Sequence, residues 1–150
     1  MENTKKTQDL LTNAIFEVFE KMFFVFLEPL DEDVNYNMVT SIRFSGHVNG
    51  DIKVYFSQGV AELMVQNMLS IDQNDVTDKL IEDCTKEAIN MISGNYLRKY
   101  DTSKVFDLSI PAFEKRDGVF SPHNENTSEK ELNLSFASDD SFLGVKMIIN

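Results

Sequence analysis

The strongest constraint on this chain is a pair of alternating segments flanking turn-forming residues. Thr40, Ile42 and Phe44 share one face of an extended segment, with Ser41 and Arg43 on the other. Ile52, Val54 and Phe56 repeat the pattern against Lys53 and Tyr55. A period of two means that each segment buries one face. Gly46 and Asn49-Gly50 lie between them. Asn-Gly tolerates positive φ, so the pattern predicts a β-hairpin closed by a tight turn.

Helical spacing surrounds the hairpin. From about Thr7 to Leu27, apolar residues from Leu10 to Phe26 recur at i, i+3 and i+4, and Pro29 is the expected stop. A polar connector over 31–37 precedes the hairpin. Ser57 is placed to cap a short helix through Leu69. A long helix follows, with Asp75 as its expected N-cap and its end near Tyr100. Three further strands are predicted from alternation: Phe106/Leu108/Ile110, Leu132/Leu134/Phe136, and Leu143/Val145/Met147/Ile149. The stretch between Phe113 and Lys130 reads as a long polar connection, of the kind that is functional or mobile.

Helices and strands are thus segregated, and the strands come in hairpins. This order predicts an α+β fold, a mostly antiparallel sheet with long helices packed on one face. A length of 150 residues with no shift in composition fits one domain over 1–150. A long helix followed by a β region occurs twice, which hints at an internal repeat.

Charge narrows the function. The formal net charge is −11. A general nucleic-acid binder or an anionic-membrane binder needs a basic face, so neither is expected. The lone Cys84 excludes an intrachain disulfide and fits a reducing compartment. The N-terminal residues lack the apolar region of a secretory signal, and the densest apolar run, Met22 to Leu27, is too short to span a bilayer. A soluble, cytoplasmic protein is the expectation. His47 and His123 lack ligand spacing, and no metal site is expected. No nucleophile elbow is present.

One stripe on the long helix stands apart. At ~100° per residue, Ile81, Cys84, Ala88, Met91 and Ile92 form the expected core side. Asp83, Glu87, Asn90 and Gly94 fall within ~60° of one another on nearly the opposite side. Glu87 and Asn90 are neighbours at i, i+3. Gly in a helix interior costs ~1 kcal/mol relative to Ala, and is better tolerated where something must approach the backbone. An acid, an amide and a bare patch could form a docking surface. Polar residues are also what any exposed helix face carries.

The segment Glu87-Ala88-Ile89-Asn90-Met91-Ile92-Ser93-Gly94-Asn95 resembles the signature helix of the CheC/CheX/FliY family of chemotaxis phosphatases, most closely the single-site CheX branch. The hairpin and the segment GVAELMVQNML before it are similar as well. The resemblance covers Met38 to Asn95 well, and the first helix and last strands by element order. It implies a CheC-like pseudo-two-fold fold. It also implies dephosphorylation of the phospho-aspartate of a CheY-like response-regulator receiver domain in chemotaxis or two-component signalling. By resemblance, Asn90 orients the attacking water, Glu87 pairs with the receiver's active-site Lys, and Asp83 and Gly94 contact the partner. Asn95, projecting toward the core side, is expected to make an internal hydrogen bond. No cofactor is implied on this chain. Mg²⁺ would come with the receiver, and homodimers are implied.

The first helix offers a comparison. Asn13, Glu17, Glu20 and Phe24 align with Asp83, Glu87, Asn90 and Gly94. Glu20 stands where the amide should be, so one functional site per chain is expected. Two rival readings remain. One is a non-catalytic CheC-like or flagellar-switch interaction module that binds a receiver. The other is a structural protein that self-associates through a sheet edge, with Ile148 as the outward-facing apolar residue of the last strand.

Overall fold

A computed structural model describes residues 2–123 and 130–150 of the chain. The first helix, α1, spans Glu2–Met22. It buries Leu11, Ala14, Ile15, Val18 and Phe19. It starts earlier and ends sooner than its apolar spacing predicts. The stop is made by the backbone: Phe24 takes a left-handed φ of 52°. The N–H groups of Phe23 and Val25 both return to the carbonyl of Phe19, at 3.3 and 2.9 Å. Such a cap is usually made with glycine.

The chain then enters a short strand, β1 (Glu28–Leu30). It lies at the edge of the sheet, so the missing N–H of Pro29 is tolerated there. β2 (Val34–Ser45) begins within the segment expected to be a connector. β3 (Gly50–Phe56) completes the hairpin, with Thr40 opposite Val54 and Ile42 opposite Ile52. The turn differs from expectation. It is a loop over 46–49, and no glycine among the described residues has positive φ. Asn49 accepts the Gly46 N–H through Oδ1 at 3.1 Å. Gly50 is needed for space, because a Cβ there would lie 2.4 Å from both the Ile148 carbonyl and the Phe44 ring.

α2 (Gln58–Leu69) is capped by Ser57 as predicted: its Oγ accepts from the Val60 N–H at 3.3 Å, and from the Phe142 N–H at 2.9 Å. α3 (Asp78–Tyr100) is capped by Thr77, not Asp75. Asp75 closes a single 3₁₀ turn, Gln73–Asp75.

The remaining strands are β4 (Asp107–Leu108), β5 (Ala112–Phe120), β6 (Glu131–Ser138) and β7 (Ser141–Ile149). β5 corrects the expectation of a polar connection from Phe113 to Lys130: most of its described part is a strand paired with β2. Residues 124–129 of that stretch lie outside the described residues. Ile110, expected in a strand, lies between β4 and β5 and is 90% exposed.

The sheet is antiparallel throughout, in the order β1-β6-β7-β3-β2-β4, with β5 also on β2. This order carries the internal repeat. Exchanging β1 with β5, β2 with β6 and β3 with β7 reproduces the path β1-β6-β7-β3-β2-β5. β3 and β7 meet at the centre, where Val54 faces Val145. Each half's first strand pairs with the other half. β7 is interior, which corrects the idea of Ile148 at a sheet edge. The helices cover one face, over a core that includes Phe19, Ile52, Phe56, Ile89 and Phe136. The opposite face carries a small cluster of Val34, Val39, Tyr55 and Phe120.

Candidate functional site

α3 is held to the sheet side by Ile81, Ala88, Ile89 and Ile92, all buried. Met91, expected in the core, is half-buried. Asp78 in the first turn and Arg98 and Lys99 in the last match the helix dipole. The opposite side of α3 therefore faces outward, as its spacing predicts. Asp83 and Glu87 are exposed, and Asn90 and Gly94 are half-exposed.

The four residues differ in what they are free to do. Asp83 is engaged: Lys79 Nζ lies 3.2 Å from its Oδ1, and that carboxylate raises the ammonium's pKa. Lys86 is likewise taken by Glu82 at 2.7 Å. No hydrogen bond or ion pair among the described residues engages the side chain of Glu87 or Asn90. Glu87 is thus an unneutralised acid one helical turn from an unengaged carboxamide. At Gly94, a Cβ would meet nothing within 4 Å, so the surface there is open.

Arg98 braces the end of the stripe, and sequence reasoning missed it. Its Nε donates to the Gly94 carbonyl at 3.3 Å, and its Nη2 donates to Asn95 Oδ1. Asn95 is buried, and this bond fits its expected internal role. The i, i+3 and i, i+4 spacing of Arg98 from Asn95 and Gly94 was the available signal.

The aligned residues on α1 have another fate. Glu17 accepts from Lys99 at 2.9 Å and from Lys21 at 3.4 Å. The Lys99 bond, then the Lys21 bond, hold its carboxyl below the usual range. Phe24 lies beyond the end of α1, whereas Gly94 is inside α3, so the two are not equivalent.

Other reactive groups do not assemble. Burial pushes the Cys84 thiol up, and its Sγ lies 3.9 Å from Met68 Sδ. His47 faces Asp101 at 3.5 Å, and His123 faces Asp31 at 2.5 Å. No group of three metal-ligating side chains occurs among the described residues. No helix among them is long and apolar enough to cross a membrane.

The fold is an antiparallel sheet of interleaved halves, with a polar stripe on the outward side of α3. The family model for the chemotaxis phosphatase CheX matches residues 38–134, and the chain belongs to that family. No curated protein matches it in sequence. Solved structures share its fold. CheX from Vibrio vulnificus aligns with a TM-score of 0.78 at 19% identity, over 97% of this chain and 99% of that one. The CheX–CheY–BeF3–Mg complex from Borrelia burgdorferi aligns at 0.67 and 19%, over 95% and 96%. FliY from Thermotoga maritima is more distant, at 0.60 and 10%, over 95% and 86%.

Proposed function

We propose that this protein dephosphorylates the phospho-aspartate of a CheY-like receiver domain, with α3 as the docking helix. The observation that carries this reading is the free state of Glu87 and Asn90 on one exposed turn, beside the open backbone at Gly94. An aspartyl phosphate is already reactive. Water attacks phosphorus, the bond to the aspartyl oxygen breaks, the electron pair leaves on the carboxylate, and the water's proton passes to the phosphate or to solvent. The phosphatase has only to position the water. A carboxamide suits this task. Asn90 Oδ1 accepts a hydrogen bond from the water and Nδ2 can donate one, with no titration near neutral pH. A Gln orients water comparably in GTP hydrolysis.

Glu87 pairs with the receiver's active-site Lys, an acid–cation contact that fixes register as it is desolvated. Gly94 lets the receiver's surface approach the helix. Asp83 acts at the rim, since Lys79 already neutralises it. The receiver brings its own Mg²⁺. The reading places the protein in the cytoplasm with its substrate. The chain also forms a homodimer; support lies in the exposed apolar Val119 on β5. Light scattering of the wild type and of Val119→Lys tests that contact.

The deciding experiment follows phosphate release from a phosphorylated receiver with wild-type protein and with Asn90→Ala. Acceleration by the wild type alone supports the reading. Receiver binding without acceleration by the wild type favours a non-catalytic module instead.

A further inference from the structure

The acid–amide stripe is too small to be the whole contact. From Asp83 to Gly94 it runs ~16 Å along a helix ~10 Å wide. A specific interface covers ~800 Å² on each partner. The receiver must therefore spread beyond the stripe, and the contacts that α3 makes with its two neighbouring helices differ in chemistry.

The contact with α1, near the end of α3, is charged. Lys99 on α3 is paired with Glu17 on α1, and Lys21 shares that carboxylate. A partner landing there would have to desolvate satisfied ion pairs, at a cost that often exceeds the gain. The contact with α2, near the start of α3, is apolar. The helical wheel puts Leu80, Cys84 and Met91 along the edge of α3 beside Glu87. Met68 of α2 touches this edge at Cys84 and is 39% exposed. Met91 lies four residues after Glu87 and is half-buried. Methionine's flexible thioether adapts to partner surfaces. Interface centres are depleted of charge and enriched in methionine and aromatic side chains.

We propose that the receiver's footprint runs from Glu87 and Asn90 toward α2, with Met68 and Met91 as its apolar anchors, and leaves the Lys99–Glu17 contact with α1 uncovered. The occupant is a receiver domain with an apolar rim beside its phosphorylation pocket. This inference rests on the phosphatase reading of α3.

Hydrogen–deuterium exchange on the wild-type protein tests it without any variant. A beryllofluoride-activated receiver with Mg²⁺ is the probe. Protection is expected over 64–71 and 84–94, and not over 15–22. Kinetics give a second arm. Met68→Lys should raise KM for the phosphorylated receiver by roughly tenfold or more while kcat changes little, and Lys21→Glu should change neither. Protection over 15–22 in place of 64–71 overturns the inference. So does a folded Met68→Lys protein with unchanged KM. Should Asn90→Ala lose turnover while Met68→Lys keeps its KM, the footprint alone is wrong. Should Asn90→Ala retain full turnover, the phosphatase reading fails first.

Discussion

Lys99 Nζ lies 2.9 Å from Glu17 Oε2, joining the last turn of α3 to the C-terminal part of α1. This bond ties down the first-helix residue that aligns with Glu87, while Glu87 itself is left free. The two long helices thus present different surfaces. On α1 the acid braces the fold, and on α3 it is available to a partner.

Loss of the amide should stop turnover more than binding. Asn90→Ala is expected to slow stimulated dephosphorylation by ~10–1,000-fold, or roughly 1.4–4 kcal/mol in the barrier. Isothermal titration with an activated receiver should show binding largely kept. Glu87→Ala should weaken that binding as well. Wild-type rates from both variants would remove the site assignment.

Substitution on the first helix should be silent in the same assay. Glu20→Ala is expected to leave turnover nearly unchanged. A large fall would place a second working surface on α1.

Gly94 separates stability from docking. Because a Cβ there meets open space, Gly94→Ala should raise stability by roughly 0.5–1 kcal/mol, through helix propensity alone. Denaturant unfolding measures this. The larger Gly94→Leu should raise KM for the receiver by obstructing its approach. A variant that is stable and fully active would deny Gly94 any part in docking.

The helix-joining ion pair predicts a pH dependence. Glu17 is held below its usual pKa of 4.5, so its contribution is complete above that value and is lost as pH falls through the folded-state value. Glu17→Gln should lower Tm at about pH 7, and the difference from wild type should shrink as pH falls below the ordinary carboxylate range. An equal difference throughout would mean that packing, not charge, is responsible.

Ser57 serves two elements, so its removal should cost more than an ordinary cap. Its Oγ accepts from Val60 and from Phe142. Ser57→Ala is expected to lose about 1–2 kcal/mol in urea unfolding. A change below a few tenths would mean that water replaces both bonds.

The sequence disclosed those parts of the fold in which a side-chain period meets a one-sided environment. The β2–β3 hairpin is of this kind, since Thr40, Ile42 and Phe44 are buried while Arg43 is exposed. β5 was hidden for the opposite reason. Glu114, Lys115, Arg116 and Asp117 are all exposed, and the strand is fixed by backbone pairing with β2, which leaves no mark on composition. The end of α1 was hidden because the apolar run continues through Phe26 while Phe24 adopts the turn. At the site, the spacing of Asp83, Glu87, Asn90 and Gly94 was readable. That Asp83 is occupied was readable too, from Lys79 four residues earlier. The Glu17–Lys99 bond was not, because it joins residues far apart in sequence.

The crossing of first strands between halves sets an order on synthesis. Leu30 finds its partner only in Ser135, and Pro29 in Phe136. During translation β1 must wait, unpaired, until β6 has left the ribosome. A nascent chain halted after α3 would hold its central hairpin but lack the neighbour of β1 and one side of β3. Closure of this sheet is therefore gated by β6 and β7, and such long-range closure is slow.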